Sequence, residues 1–146
     1  MNNKPDQQII DFIQNHHVLT LATNSKNDGP WCANCLYIYL EEMNLFVFTS
    51  DEDTRHVQDI EKDEKVAGSV VLETDVIGRI RGIQFQGMVS RLQDAPLKKA
   101  KRAYLKRFPM AALMKTTLWG LEPFLIKMTD NRLGFGKKLI WRASGD

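Results

Sequence analysis

The sequence has the size and composition of one ordinary globular domain. Of its 146 residues, 43% are hydrophobic, which is enough to form a core, and 26% are charged. The formal net charge of +2 is too small to indicate nucleic-acid binding by the whole chain. No apolar run is long enough to span a bilayer, residues 1–8 lack the apolar stretch of a signal peptide, and two cysteines do not form a disulfide framework, so we expect a cytoplasmic protein.

The distribution of apolar residues predicts a chain made mainly of short strands. Segments rich in β-branched and aromatic residues predict strands at residues 18–23, 31–40, 45–50, 65–72, 79–92, 118–128 and 133–141. Amphipathic segments predict helices at residues 5–16, 54–61 and 95–108, with a separate turn at 110–115. Gly82 and Gly87 indicate bends or bulges inside the long strand. This pattern favours an α+β domain whose antiparallel sheet curls into a barrel.

The segment after the third strand carries the strongest functional signal. The acidic residues 51–53 end the strand, and Thr54, Arg55 and His56 stand where the next helix begins. A helix N-terminus offers unpaired N–H groups and a partial positive charge, so a hydroxyl, a guanidinium and an imidazole at this place suit a phosphate. The alternative interpretation is a plain N-cap at Asp53 or Thr54 with solvated charges around it.

Two short motifs contain residue types that bind metals, but neither predicts a metal site. Cys32 and Cys35 form a C-x-x-C motif without the second pair that a zinc ribbon needs. Residues three apart on a strand point to opposite faces, so we expect structural thiols. His16 and His17 end the first helix, where imidazoles interact favourably with the helix dipole and adjacent side chains diverge.

The predicted helix at residues 95–108 is strongly basic. It carries six cations, namely Lys98, Lys99, Lys101, Arg102, Lys106 and Arg107. A solvated face is the interpretation we favour, because the net charge of the chain is small. Nucleic-acid binding through this helix is the alternative, and attraction of an anionic substrate or cofactor is a third.

Four segments of the chain carry a resemblance to a known superfamily. The segments are VLTLATNSKNDGPWCANCLYIY, LFVFTSDEDTRHVQDIEKDEKVAGSVV, IRGIQFQGMVSRL and IKMTDNRLGFGKKLIW. In their order and spacing they resemble the flavin-binding split barrels, the superfamily of pyridoxamine-phosphate oxidase. More narrowly, WCAN, TRH, RGIQF and TDNRLGFGKK resemble a small bacterial family within that superfamily whose biochemistry is not defined.

The resemblance implies a mostly antiparallel split β-barrel of six or seven strands with peripheral helices, formed by residues 1–146 as a single domain. It also implies a homodimer that binds FMN in a groove between subunits. The family's Ser-Arg-Lys turn, which binds the FMN phosphate, reads Thr54-Arg55-His56 in this chain. A partner subunit's basic residue corresponds to Lys137 or Lys138. The residues that match the family's other cofactor contacts are Ala33, Asn34, Phe48, Thr49 and Gln84.

The chain departs from the pyridoxamine-phosphate oxidase pattern near its C-terminus. The family's substrate-binding Arg-x-His falls at residues 134–138, which read GFGKK and contain no histidine. We therefore expect a small FMN-dependent oxidoreductase that acts on an unidentified small molecule, rather than the vitamin oxidase itself. No side chain stands out as a catalytic acid or base. The alternatives are a non-catalytic sensor or carrier that binds flavin or haem, and a nucleic-acid-binding barrel.

Overall fold

A computed structural model describes residues 3–115 and 117–144 of the chain. The three helices are α1 (Gln7–Gln14), α2 (Arg55–Lys62) and α3 (Asp94–Arg107). The seven strands are β1 (Val18–Ser25), β2 (Gly29–Leu40), β3 (Leu45–Ser50), β4 (Lys65–Val71), β5 (Arg81–Arg91), β6 (Thr117–Asp130) and β7 (Lys138–Arg142). Short 3-10 turns at 41–43, 77–79, 109–113 and 131–133 lie between them. Within the described residues, no helix has both the length and the apolar character needed to cross a bilayer.

The strands form one antiparallel sheet that closes on itself. Its order is β3-β2-β1-β4-β5-β6-β7, and β3 also pairs with β6. This extra pairing joins Phe46 to Leu121 and Ser50 to Thr117, so six strands form a closed barrel and β7 extends the sheet beyond it. The prediction of an α+β split barrel is confirmed.

The glycines of the sheet explain how it curls. Gly68 of β4 is paired with Phe85 on the neighbouring strand β5, and a Cβ atom at position 68 would lie 2.4 Å from the Phe85 ring. In β5 the pairing with β6 shifts register between Gln86 and Gly87, which is the bulge predicted from the sequence. The strand can bend there because Gly87 leaves room for the backbone of Glu122, which a Cβ would approach to 2.7 Å.

Side chains that alternate along the strands fill the barrel with a single core. Phe46 stacks on Phe85 inside it with ring centroids 5.0 Å apart, and α1 contributes Ile9, Ile10 and Ile13. A second apolar cluster lies outside the barrel, where α3 covers β3 and packs Ala100 and Tyr104 against Val47. The part of the sheet that α3 leaves uncovered therefore keeps an open outer face.

Several predicted boundaries differ from the structure, and those of the last strand and the first helix differ most. The last strand begins at Lys138 rather than at residue 133, because residues 131–137 form a turn in which Gly134 and Gly136 have φ of 130° and 72°. Helix α1 is shorter than the predicted 5–16. The Asp6 carboxylate caps it by accepting a hydrogen bond of 2.8 Å from the backbone N–H of Gln8.

Candidate functional site

An open groove on the outer face of the sheet is lined by one predicted cofactor residue, Gln84, and a second, Asn34, is hydrogen-bonded to the lining residue Thr20. The strand registers place Asn34 opposite Thr20, and Ser69 opposite Gln84. The Thr20 hydroxyl donates to Asn34 Oδ1 at 3.0 Å. The groove has a volume of about 490 Å³, within the range of small-molecule sites. This outer groove is lined by Thr20, Ala22, Cys32, Ala67, Gly68, Ser69, Gln84, Phe85, Gln86, Leu125 and Lys127.

The lining of the outer groove suits a flat ligand with a polar rim. The short side chains of residues such as Ala22 and Ala67 leave part of the groove floor flat. The Gln84 amide and the Lys127 ammonium lie directly opposite each other on β5 and β6, so hydrogen-bond donors and an acceptor flank the flat part. Lys127 was missed by sequence reasoning, although its place between the buried Ile126 and Met128 indicates an outward direction.

The predicted phosphate-binding residues stand at the start of α2, and two of the three are already engaged. Thr54 is the N-cap of the helix: its hydroxyl accepts from the Val57 N–H at 3.4 Å and donates to the Asp51 carbonyl at 2.8 Å. His56 Nε2 and Ser50 Oγ are hydrogen-bonded at 2.7 Å. Burial lowers the pKa of His56, so its imidazole is neutral at neutral pH and adds no positive charge.

Arg55 supplies the fixed charge of this site and still has donors to offer. Its Nη2 donates to the Asp28 carbonyl at 2.9 Å, and its Cζ lies 4.3 Å from the centroid of the Trp31 ring. Its Nε is buried without a hydrogen-bond partner among the described residues. Trp31 directly precedes Cys32 on β2 and points to the other face of that strand. Arg55 is not among the residues that line the outer groove, so the guanidinium lies at the α2 end of the barrel rather than in the groove itself.

The structure does not bring all the predicted residues into one cavity. Phe48 is fully buried in the barrel and Ala33 packs against the same core, so only their backbone atoms are open to contact with a ligand outside the sheet. Thr49 lines a separate pocket of about 490 Å³ under α3, and its hydroxyl lies 3.4 Å from that of Tyr104. Lys137 is exposed in the turn before β7 and does not line the outer groove of its own chain.

The two cysteines occupy opposite faces of β2, as the strand geometry predicts. Cys32 is exposed in the outer groove, whereas Cys35 is buried in the core. Burial raises the pKa of the Cys35 thiol to about 11, so this thiol stays protonated at neutral pH. No group of three or more His, Cys, Asp or Glu residues with the geometry of a metal site occurs within residues 3–115 and 117–144.

Comparisons with known proteins agree with this architecture. The sequence pattern of the family described as pyridoxamine 5'-phosphate oxidase matches residues 5–128. A UPF0306 protein of Photorhabdus laumondii is 41% identical over 143 residues, which are 97% of this chain and 99% of that protein.

Two solved structures are similar in fold. A heme-binding protein from Mycobacterium smegmatis superposes with a TM-score of 0.75 at 18% identity, over 88% of this chain and 54% of the other. HutZ, a heme storage protein of Vibrio cholerae, superposes with a TM-score of 0.66 at 18% identity, over 82% of this chain and 90% of the other. Similarity at this identity establishes a common fold alone.

Proposed function

Since this chain belongs to the pyridoxamine 5'-phosphate oxidase family, we propose that it binds FMN and acts as a small flavin-dependent oxidoreductase. The observation that supports this proposal is Arg55 at the start of α2, a guanidinium whose Nε is buried without a partner among the described residues and which packs on the ring of Trp31. A phosphate needs a charged donor of this kind, and a planar ring needs the flat, polar-rimmed surface of the outer groove.

The residues present fit FMN in both parts of the site. Arg55 would hold the phosphate together with N–H groups at the start of α2. Asn34 and Gln84 would bind the polar edge of the ring, and Lys127 would place a positive charge in the groove. When bound, FMN supplies hydride and electron transfer, and the chain's contribution is to bind, orient and tune it. A second small molecule would then react at the exposed ring face.

We place the homodimer contact of this proposal on the outer face of the sheet. Homologous proteins of this fold often form dimers. Apolar side chains that belong in an interface are exposed beside the outer groove, and Val71 and Ile140 have 66% and 58% of their surface open. A second copy on this face would cover these side chains and bring Lys137 or Lys138 of one chain toward the groove of the other.

A carrier of haem is the second candidate, because the two proteins of similar fold are described as a heme-binding protein and a heme storage protein. Iron in haem is commonly held by histidine, and no histidine is among the described residues that line the outer groove. His56 Nε2 is already hydrogen-bonded to Ser50 Oγ. Within the outer groove, the side chain best suited to bind iron is the exposed thiol of Cys32. The chemistry of the groove therefore favours flavin over haem.

Spectra and titrations distinguish these functions. We expect flavin absorbance in the freshly purified protein or on titration with FMN, and weaker binding of hemin. Oxidation of NADH or NADPH with an acceptor would separate an enzyme from a carrier. Saturable hemin binding with no response to FMN would contradict the proposal.

The dimer is tested by sedimentation of wild type, Val71→Glu and Ile77→Glu. Both residues are exposed apolar side chains, but Ile77 lies in a 3-10 turn rather than in the sheet. We expect Val71→Glu to dissociate the dimer and Ile77→Glu to preserve it. A wild-type protein that stays monomeric at high concentration would rule out a groove built from two subunits.

A further inference from the structure

A second groove lies at the end of the barrel opposite α2. Helix α2 contacts the ends of β1 and β3, where the Thr23 hydroxyl donates to Asp59 and Ser50 is bonded to His56. The second groove is formed instead by α1 with the end of β4, the start of β5 and the β6–β7 turn. This α1 groove has a volume of about 780 Å³, and its lining includes Phe12, His16, Leu72, Arg81, Met128 and Arg132.

Arg81 is the unusual residue of the α1 groove. Its side chain is half-buried, and its Nε is buried without a hydrogen-bond partner. Its terminal nitrogens likewise make no hydrogen bond or ion pair within the part of the chain that the structure describes. A guanidinium carries five N–H donors and is always charged. Leaving such donors unpaired in a partly desolvated place costs free energy that a bound acceptor would recover.

The carboxylate that stands nearest in the sheet is already taken. Asp130 lies opposite Arg81 in the pairing of β5 with β6. Its oxygens instead accept three hydrogen bonds from Arg132, from the backbone N–H at 3.0 Å, from Nε at 3.1 Å and from Nη2 at 2.9 Å. Arg132 therefore holds Asp130 through hydrogen bonds, while Arg81 interacts with Asp130 only through its charge and makes no hydrogen bond or ion pair to a described residue.

The remaining lining defines the kind of ligand. Phe12, Leu72 and Met128 give the groove an apolar wall beside the guanidinium. Asp11 of α1 also lines the groove and is exposed, with its Oδ1 accepting a hydrogen bond of 2.8 Å from Gln7. A groove that contains a guanidinium without hydrogen bonds and also an exposed carboxylate suits a ligand with a single negative charge better than a polyanion, because the carboxylate repels additional negative charge.

We propose that the α1 groove binds a small carboxylate that carries an apolar group. The Arg81 guanidinium holds the carboxylate through paired N–H donors, and Phe12, Leu72 and Met128 contact the apolar part. This site lies at the other end of the barrel from Arg55, so it does not depend on flavin binding. It gives the protein a place for a small-molecule effector or a second substrate that the outer groove does not provide.

Calorimetric titration with 2-naphthoate tests this site, with the uncharged 2-naphthylmethanol as the matched ligand. We expect one 2-naphthoate to bind per chain and Arg81→Gln to weaken it by at least about tenfold. Arg79→Gln, at an exposed position two residues earlier, should bind as wild type does. Asp11→Asn, at an exposed position that does not threaten folding, should bind 2-naphthoate more tightly.

Four results of the 2-naphthoate titrations would overturn the proposal, and a fifth would come from competition with FMN. The four are an absence of saturable 2-naphthoate binding to the wild type, equal affinity of wild type and Arg81→Gln, equal affinity for the acid and the alcohol, and an unchanged affinity in Asp11→Asn. The Asp11 variant keeps the test decisive if Arg81→Gln fails to fold. Saturating 2-naphthoate should leave an FMN titration unchanged, and competition between the two would place the probe in the outer groove and refute the assignment.

Discussion

Two arginines at opposite ends of the barrel differ in how the chain supports them. Both Arg55 and Arg81 have a buried Nε without a partner among the described residues. Arg55 is held by the Asp28 carbonyl and by the face of Trp31, whereas Arg81 makes no such contact within residues 3–115 and 117–144. A cation that is already held in position before its ligand arrives loses less side-chain entropy on binding. We therefore expect tighter anion binding at Arg55 than at Arg81.

The largest expected effect comes from Arg55→Ala. Removing a charge-assisted hydrogen bond should weaken FMN binding by roughly 1.5–3 kcal/mol, or about 10- to 150-fold in Kd. Titration of FMN into the variant and wild type measures this difference. Arg81→Ala and the exposed Arg79→Ala are the matched controls and should bind FMN normally. If all four proteins had the same Kd, Arg55 would not belong to the cofactor site.

Trp31→Ala tests whether the support of Arg55 matters. A cation–π contact at an exposed site contributes about 0.5–1 kcal/mol, so FMN affinity should fall by about two- to fivefold. Trp31→Phe keeps an aromatic face and should lose less. In a double-mutant cycle with Arg55→Ala the two effects should not add, because Trp31 acts through the guanidinium. Additive losses would show that Trp31 contacts the ligand directly.

Arg132→Ala should free the Asp130 carboxylate, so that it can form an ion pair with Arg81. The Arg132 guanidinium lowers the pKa of Asp130 below its ordinary 3.8. This ion pair therefore stabilises the fold above pH 3.8, and its contribution is lost as pH falls through the lower pKa of the folded state. As pH falls, the free energy of unfolding of the variant, measured by urea denaturation, should decrease less than that of the wild type. It should also bind 2-naphthoate more weakly, because Asp130 becomes available to Arg81. Unchanged binding would mean that the two groups do not meet.

The smallest effect concerns the protonation of His56 beside Arg55. Its folded pKa lies below the ordinary 6.5 because of burial, so the unfolded chain takes up the proton first. Stability should therefore fall as pH drops through 6.5 and level off below the folded pKa. His56→Asn should flatten this part of the profile, and His17→Asn, at an exposed position directly before β1, is the matched control. A profile identical to wild type would mean that the imidazole is already accessible to solvent.

Much of the fold could be predicted because strand alternation and glycine positions are local signals. The strands, the bend or bulge near Gly87 and the curling of the sheet into a barrel follow from them, and the family resemblance added the split-barrel topology. The separation of Thr49 from the outer groove could not be predicted, because it depends on α3 covering β3. Nor could the isolation of Arg81. Whether Asp130 bonds Arg81 or Arg132 is decided by the turn that follows β6, and no sequence pattern reports that geometry.

The pairing of β3 with β6 also has a consequence for how the chain folds. It joins segments separated by about 70 residues, including Phe48 opposite Trp119, so bringing them together costs more chain entropy than any hairpin in the sheet. We expect the pairing of β3 with β6 to form last during folding. Until it does, the edge of β3 exposes four consecutive apolar residues, 45–48, to pairing with other chains that have not finished folding. Refolding yield should therefore drop as protein concentration rises.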